Sequence, residues 1–109
     1  MTINVLGVEY TIKKSNKIED LGLENCDGYC DHTTKKIVID TFKTYEELPD
    51  ALGNLDDYEK KVIRHELVHA FLFESGLSNN SWAKDEEIVD WIANQFPKLM
   101  EAFIQCKAI

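Results

Sequence analysis

The chain lacks the features that mark exported, membrane-spanning and disulfide-rich proteins. No apolar run approaches the roughly 20 residues that a transmembrane helix needs. The opening MTINVLGVEY has neither the basic start nor the long apolar centre of a signal peptide. Cysteines number only three, an odd count that fits reduced thiols better than a disulfide framework. We therefore expect a cytoplasmic protein without a structural disulfide or a membrane partner.

Positive charge is also scarce. The formal net charge is −8, and the short basic stretches KSNK and TTKK have acidic neighbours. Proteins that bind the phosphate backbone carry a basic patch or stripe, so nucleic acid is not an expected partner.

What the chain does have is the composition of one folded unit. Its 109 residues are 44% hydrophobic and 29% charged, and a chain of this length buries a single core. Residues 1–42 contain strand patterns and residues 54–109 contain helical ones. We therefore predict a single domain, residues 1–109, of the α+β class.

The first half predicts a small antiparallel sheet of about three strands. INVLGVEYTIKK alternates so that Leu6, Val8, Tyr10 and Ile12 would share one face of a single strand. YCDHTTKKIVIDT predicts two short strands around a turn at HTTK, and the second of these is KIVID.

The second half predicts a pair of helices. The first runs from about Leu55 to Ser75, capped by Asn54 or Asp56, with Gly76 as its C-terminal stop. DEEIVDWIANQF has helical spacing and predicts the second helix, for which Ser81 is a candidate cap. Because proline cannot continue the hydrogen-bond ladder, we expect Pro97 to kink or end this helix before another helical piece.

The motif HELVH on the first helix predicts a metal site. His65 and His69 are four residues apart and project from one helix face, so both imidazoles can reach one ion. Glu66 lies about 100° round the helix and can contact a water molecule on that ion. In H-E-x-x-H sites, zinc lowers the pKa of its bound water and the glutamate transfers the proton. The alternative is that both histidines are ordinary helix residues paired with nearby carboxylates.

The second helix offers the third ligand that catalytic zinc usually requires. Glu86 and Asp90 share a helix face, whereas Glu87 points about 100° away. We predict that Glu86 binds the ion and that Asp90 hydrogen-bonds the distal nitrogen of a ligand histidine. For Glu87 we favour a solvated position that stabilises the start of the helix.

HELVH followed by EEIVD resembles the H-E-x-x-H…E-x-x-x-D pattern of gluzincin metallopeptidases. The chain is most similar to the minimal zincins of phages, prophages and mobile elements that are related to the ImmA/IrrE metallopeptidases. The resemblance covers residues 54–100 and implies zinc-dependent cleavage of a protein or peptide, often a regulator. It also implies an edge strand that receives an extended peptide. KIVID is the candidate edge strand, with an interior position as the alternative.

Other residues are open to more than one interpretation. Cys26, Cys30 and His32 are candidates for a second metal site, but they lack a fourth ligand, and packed thiols are the simpler explanation. Three tyrosines are candidates to stabilise an oxyanion: Tyr29, Tyr45 and Tyr58. Two rival functions remain, namely a non-catalytic zinc-stabilised interaction module and a metal-free acidic module that imitates nucleic acid.

Overall fold

The computed structural model describes residues 1–42, 54–80 and 82–109. Its strands are β1 (Thr2–Val5), β2 (Val8–Ser15), β3 (Gly28–Asp31) and β4 (Lys36–Asp40), and its helices are α1 (Leu55–Glu74) and α2 (Glu86–Gln105). A short 3₁₀ helix, Leu21–Leu23, lies between β2 and β3. Strands come first and helices follow, which confirms the α+β prediction. No helix in these described ranges is long and apolar enough to cross a membrane.

Within the part of the chain that the structure describes, the sheet has four strands in the order β1-β2-β4-β3. The β1–β2 and β3–β4 pairs are antiparallel, whereas β2 and β4 are parallel. The prediction of about three antiparallel strands was therefore wrong in both number and direction. Alternation of side chains predicts that a segment is a strand, but it carries no information about which distant strand becomes its neighbour.

The segment predicted as one strand is a hairpin. Leu6 and Gly7 both adopt positive φ, +51° and +91°, as the two-residue turns that best match strand twist require. The Asn4 side chain accepts a hydrogen bond of 2.8 Å from the Gly7 amide. Leu6 is consequently exposed in the turn, while Tyr10 is fully buried on the predicted inner face.

β3, rather than KIVID, is the edge strand on the side of the sheet near the helices. KIVID forms β4, which is hydrogen-bonded on both sides, so its proposed edge position was wrong. β3 approaches α1 closely, since a Cβ atom added to Gly28 would lie 2.8 Å from Cγ1 of Val62. Glycine at this position lets the edge strand lie directly against the helix.

α1 has nearly the predicted bounds. The Asn54 side chain caps it by accepting a hydrogen bond from the Asp57 amide. The helix ends at Glu74, and Gly76 follows with a φ of +78°. The main core lies between α1 and the sheet and consists of Val5, Tyr10, Ile37, Ile39, Phe42, Val62 and Ala70.

α2 continues through Pro97 to Gln105, so the helix does not end at Pro97, which was one of the two predicted outcomes. Proline has no amide hydrogen and leaves the carbonyl four residues earlier, that of Ala93, without its helical donor. Nε of Arg64 on α1 donates to this carbonyl at 2.6 Å, and the neighbouring helix thus replaces the missing bond. The cap of α2 is Asp85, while Ser81 lies outside the described residues.

Candidate metal centre

Two imidazoles converge on the side of α1 that faces α2. The Nε2 atoms of His65 and His69 lie 3.2 Å apart, as expected for residues one helical turn apart. Both side chains are partly buried, with exposed fractions of 19% and 27%.

Glu86, in the first turn of α2, lies beside both imidazoles. One of its carboxylate oxygens, Oε2, lies 2.8 Å from Nε2 of His65, and the other, Oε1, lies 3.0 Å from Nε2 of His69. Asp85 starts the helix by accepting a hydrogen bond from the Glu87 amide. The beginning of α2 therefore brings the Glu86 carboxylate to the pair of histidines.

The chemistry of these atoms fits a metal ion. Neutral imidazole nitrogens and a carboxylate oxygen carry lone pairs, which repel one another unless a proton or a cation lies between them. The separations of 2.8 to 3.3 Å approach the edge of a tetrahedron whose ligands lie about 2.0–2.1 Å from zinc, which is about 3.3 Å. Two nitrogens and one oxygen also form a ligand set that zinc accepts.

Glu66 is the buried member of the group. Among the described residues, His65, Glu66 and His69 form a cluster that could hold a metal ion, with ligand atoms within 4.8 Å of one another. The Glu66 side chain is only 6% exposed. Burial raises its pKa to about 7; the electrostatic interaction with His65 opposes this rise and the Glu86 carboxylate adds to it.

Asp90 lies behind His65, one turn further along α2 than Glu86. Its Oδ1 atom is 3.3 Å from Nδ1 of His65, the nitrogen that points away from Glu86. The same oxygen lies 2.6 Å from Nζ of Lys61, and Nδ2 of Asn94 donates to Oδ2 at 3.3 Å. The hydrogen bond from Lys61 is the main cause that lowers the pKa of Asp90.

Sequence reasoning overlooked Lys61, although a signal was present. Lys61 precedes His65 by one helical turn and therefore lies on the same face of α1. Arg64 was overlooked as well, because its partner is a backbone carbonyl that only the continuation of α2 through Pro97 makes available.

A cleft runs between this group and β3. A cavity of about 580 Å³ is lined by His65, Glu66 and His69 on one side and by β3 on the other. A second cavity of about 220 Å³ shares Gly28, His65 and Glu66 with the first and extends towards Lys61. The cleft therefore extends to both sides of the buried carboxylate.

The tyrosine candidates for oxyanion stabilisation already have partners. Tyr29 lines the larger cavity, and its hydroxyl donates to Asp20 at 2.7 Å. Tyr58 lines the smaller cavity and donates to Asp27. Tyr45 lies outside the described residues. Neither of the described tyrosines has a geometry that assigns it this role.

The candidate second metal site of Cys26, Cys30 and His32 does not assemble. Sγ of Cys26 donates to the backbone oxygen of Gly22 at 3.2 Å, while the His32 ring stacks on Phe73 with centroids 4.1 Å apart. Burial raises the pKa of Cys30 to about 11, which disfavours the thiolate that binds metals. These side chains line the cleft without converging on one point.

No protein-family model, curated protein or solved structure matches the chain. Its function must therefore be argued from the chemistry and geometry of its own side chains. The candidate group of His65, Glu66 and His69, with Glu86 beside it, is the feature of the described structure that carries such an argument.

Proposed function

We propose that this chain is a zinc-dependent peptidase. His65, His69 and Glu86 bind the ion, Glu66 acts as general base and acid, and Asp90 orients the His65 ring. The observation that supports this best is the convergence of two Nε2 atoms and a carboxylate within 3.3 Å, beside a buried glutamate and under a sheet edge. The resemblance to minimal gluzincins points the same way.

The zinc ion and Glu66 have different roles in the proposed hydrolysis. Bound zinc supplies a Lewis acid that polarises the scissile carbonyl and makes a water molecule a better nucleophile at neutral pH. The Glu66 carboxylate takes a proton from that water and delivers it to the amide nitrogen of the leaving group. Burial raises the pKa of Glu66 in the metal-free protein, whereas a bound cation nearby would lower it and favour the carboxylate form that accepts the proton.

The substrate is an extended segment of a protein or peptide. Among the described residues β3 pairs with β4 on one side only, and its residues Gly28, Tyr29 and Cys30 line the cleft. Backbone amides and carbonyls on a free edge can pair with an added strand. Such pairing would lay the substrate backbone along the cleft beside Glu66. A regulator protein is the substrate class that the resemblance suggests.

Metal content is the first test. Elemental analysis of the purified protein should find an equimolar amount of zinc, and His65→Ala and Glu86→Ala should each lose it. Glu87→Ala is the matched control, because it removes the same carboxylate one residue further along α2. Zinc loss in Glu87→Ala but not in Glu86→Ala would reassign the third ligand.

Catalysis is tested separately with Glu66→Gln, which keeps the size and polarity of the side chain. Mixture-based peptide libraries, read by mass spectrometry, should be cleaved by the native protein and not by this variant, while both retain zinc. Cleavage by Glu66→Gln would reject the catalytic assignment. Zinc retention without cleavage by the native protein would favour the non-catalytic interaction module, in which the ion only joins the two helices.

A further inference from the structure

Lys61 is the one cation in the smaller cavity, as far as the described residues show. It lies on α1, yet its ammonium group contacts α2 through Asp90 at 2.6 Å. The Lys61 side chain is only 22% exposed, whereas its neighbour Lys60 is an exposed residue. Lys61 is therefore held against α2 at the side of the cleft.

We propose that Lys61 is a positioning residue of the metal site, which holds the Asp90 carboxylate in place against Nδ1 of His65. This inference rests on the proposed metal site. It adds Lys61 to the series of contacts that runs from the ion through His65 and Asp90. Lys61 is not a ligand of the proposed ion and acts on His65 through Asp90.

Asp90 needs such support because its other contacts are weak. The side chain is 41% exposed, so water competes for its oxygens. Its contacts with His65 and Asn94 are both 3.3 Å long, near the upper limit of useful hydrogen bonds. The 2.6 Å contact with Lys61 is much the shortest of the three, and a charge-assisted bond of this length is stronger than a neutral one.

Placement of Lys61 on α1 explains why its effect would reach His65. Lys61 and His65 are one turn apart on the same helix, so their spacing is set by the helix itself. A carboxylate held by Lys61 is therefore kept close to the His65 ring. Residues that orient a ligand histidine typically change metal affinity about 10- to 100-fold when they are removed.

The test compares Lys61→Met with Lys60→Met. Both variants lose one positive charge from adjacent positions of α1, but only the first loses the contact with Asp90. Zinc affinity is measured by competition with a chromophoric chelator. We expect Lys61→Met to weaken binding about 3- to 10-fold, less than removal of a direct partner would, and Lys60→Met to leave it unchanged. Lys61→Arg, which retains a cation that can reach Asp90, should restore most of the affinity.

Two further measurements separate positioning from a general loss of stability. The effect of Lys61→Met should disappear when Asp90 is already Ala, because the carboxylate through which Lys61 acts is then absent. The visible absorption spectrum of the cobalt(II)-substituted protein should change in Lys61→Met and remain native in Lys60→Met. Urea unfolding of both metal-free variants should be nearly the same, since partly exposed ion pairs contribute little to stability.

Equal zinc affinity and equal cobalt spectra in the two methionine variants would overturn the inference. The same loss of affinity in the Asp90→Ala background would also overturn it, because Lys61 would then act by another route. Failure of the native protein to bind zinc would instead reject the metal site itself, and this result is visible without any variant.

Discussion

The two sides of α1 are built on different principles. The side facing the sheet buries Val62 and Ala70 against fully buried residues such as Tyr10 and Ile39. The side facing α2 carries Lys61 and His65, whose partners on α2 are carboxylates, next to a smaller apolar cluster in which Leu72 packs with Val89 of α2. Apolar contact with the sheet stabilises the fold without direction, whereas the polar contacts with α2 depend on distance and angle.

This difference indicates which substitutions should affect the stability of the fold and which should affect the metal site. Burial of apolar area contributes in proportion to the area removed from water, so the sheet side should dominate the free energy of unfolding. Partly exposed ion pairs contribute little, so the polar contacts with α2 should matter for the metal site more than for stability. Each of the following predictions tests one part of that division.

The largest expected effect lies on the sheet side. Ile39 is fully buried, and Ile39→Ala should lower the free energy of unfolding by about 2–5 kcal/mol, because it removes buried methyl groups and leaves a cavity. Ile18→Ala is the matched control, since Ile18 is 78% exposed and its truncation should cost less than about 0.5 kcal/mol. Urea unfolding of the metal-free protein measures both. Equal losses would contradict the placement of the core.

A smaller effect on stability is expected at the contact between Arg64 and the Ala93 carbonyl. This contact is polar but should still contribute to the free energy of unfolding. Arg64→Met removes the donor to the Ala93 carbonyl and should destabilise the protein by about 1–3 kcal/mol, because the acceptor loses its partner. In a Pro97→Ala background the helix regains its own donor, so the same substitution should cost less. Four urea-unfolding curves complete the double-mutant cycle. Additive losses would show that the two positions are not coupled.

Substitution of Glu66 should raise the free energy of unfolding, whereas the two preceding substitutions should lower it. The folded-state pKa of Glu66, about 7, exceeds its ordinary value of 4.5, so folding favours the protonated form. Stability from this group is fully present below pH 4.5 and is lost as pH rises through 7. In the presence of a chelator, Glu66→Gln should therefore stabilise the protein at pH 8 by about 1–2 kcal/mol.

The control for Glu66→Gln is the pH itself. Near pH 4.5 the native carboxyl is already neutral in the folded state, so the free energies of unfolding of variant and native protein should converge. A gain in stability that is the same at both pH values would mean that burial of the charge is not its cause. Together with loss of cleavage, a gain confined to high pH would identify Glu66 as a residue that favours function over stability.

Local signals in the sequence predicted local structure well. The Asn54 cap and the Gly76 stop gave α1 almost its full extent, because both depend on neighbours within one turn. The turn at HTTK likewise joins β3 and β4 as an antiparallel pair. By contrast, α2 does not end at Pro97, because Arg64, 33 positions earlier in the chain, supplies the hydrogen bond that proline removes.

The pairing of distant strands could not be read in the same way. KIVID has the composition of either an edge or an interior strand, and only its parallel pairing with β2 decides that it is interior. That pairing joins Thr11 with Lys36 and Ser15 with Asp40, residues that no short-range pattern relates. The free edge beside the cleft is consequently β3.

The sequence by itself determined that His65 and His69 share one face of a helix, because helical periodicity alone aligns residues four apart. It also limited the third partner to the acidic start of the next helix. Only the tertiary structure decided that the Glu86 carboxylate approaches both imidazoles and that Lys61 holds Asp90 behind one of them. The physical reason is that the rotation and depth of α2 against α1 depend on contacts between residues far apart in the chain.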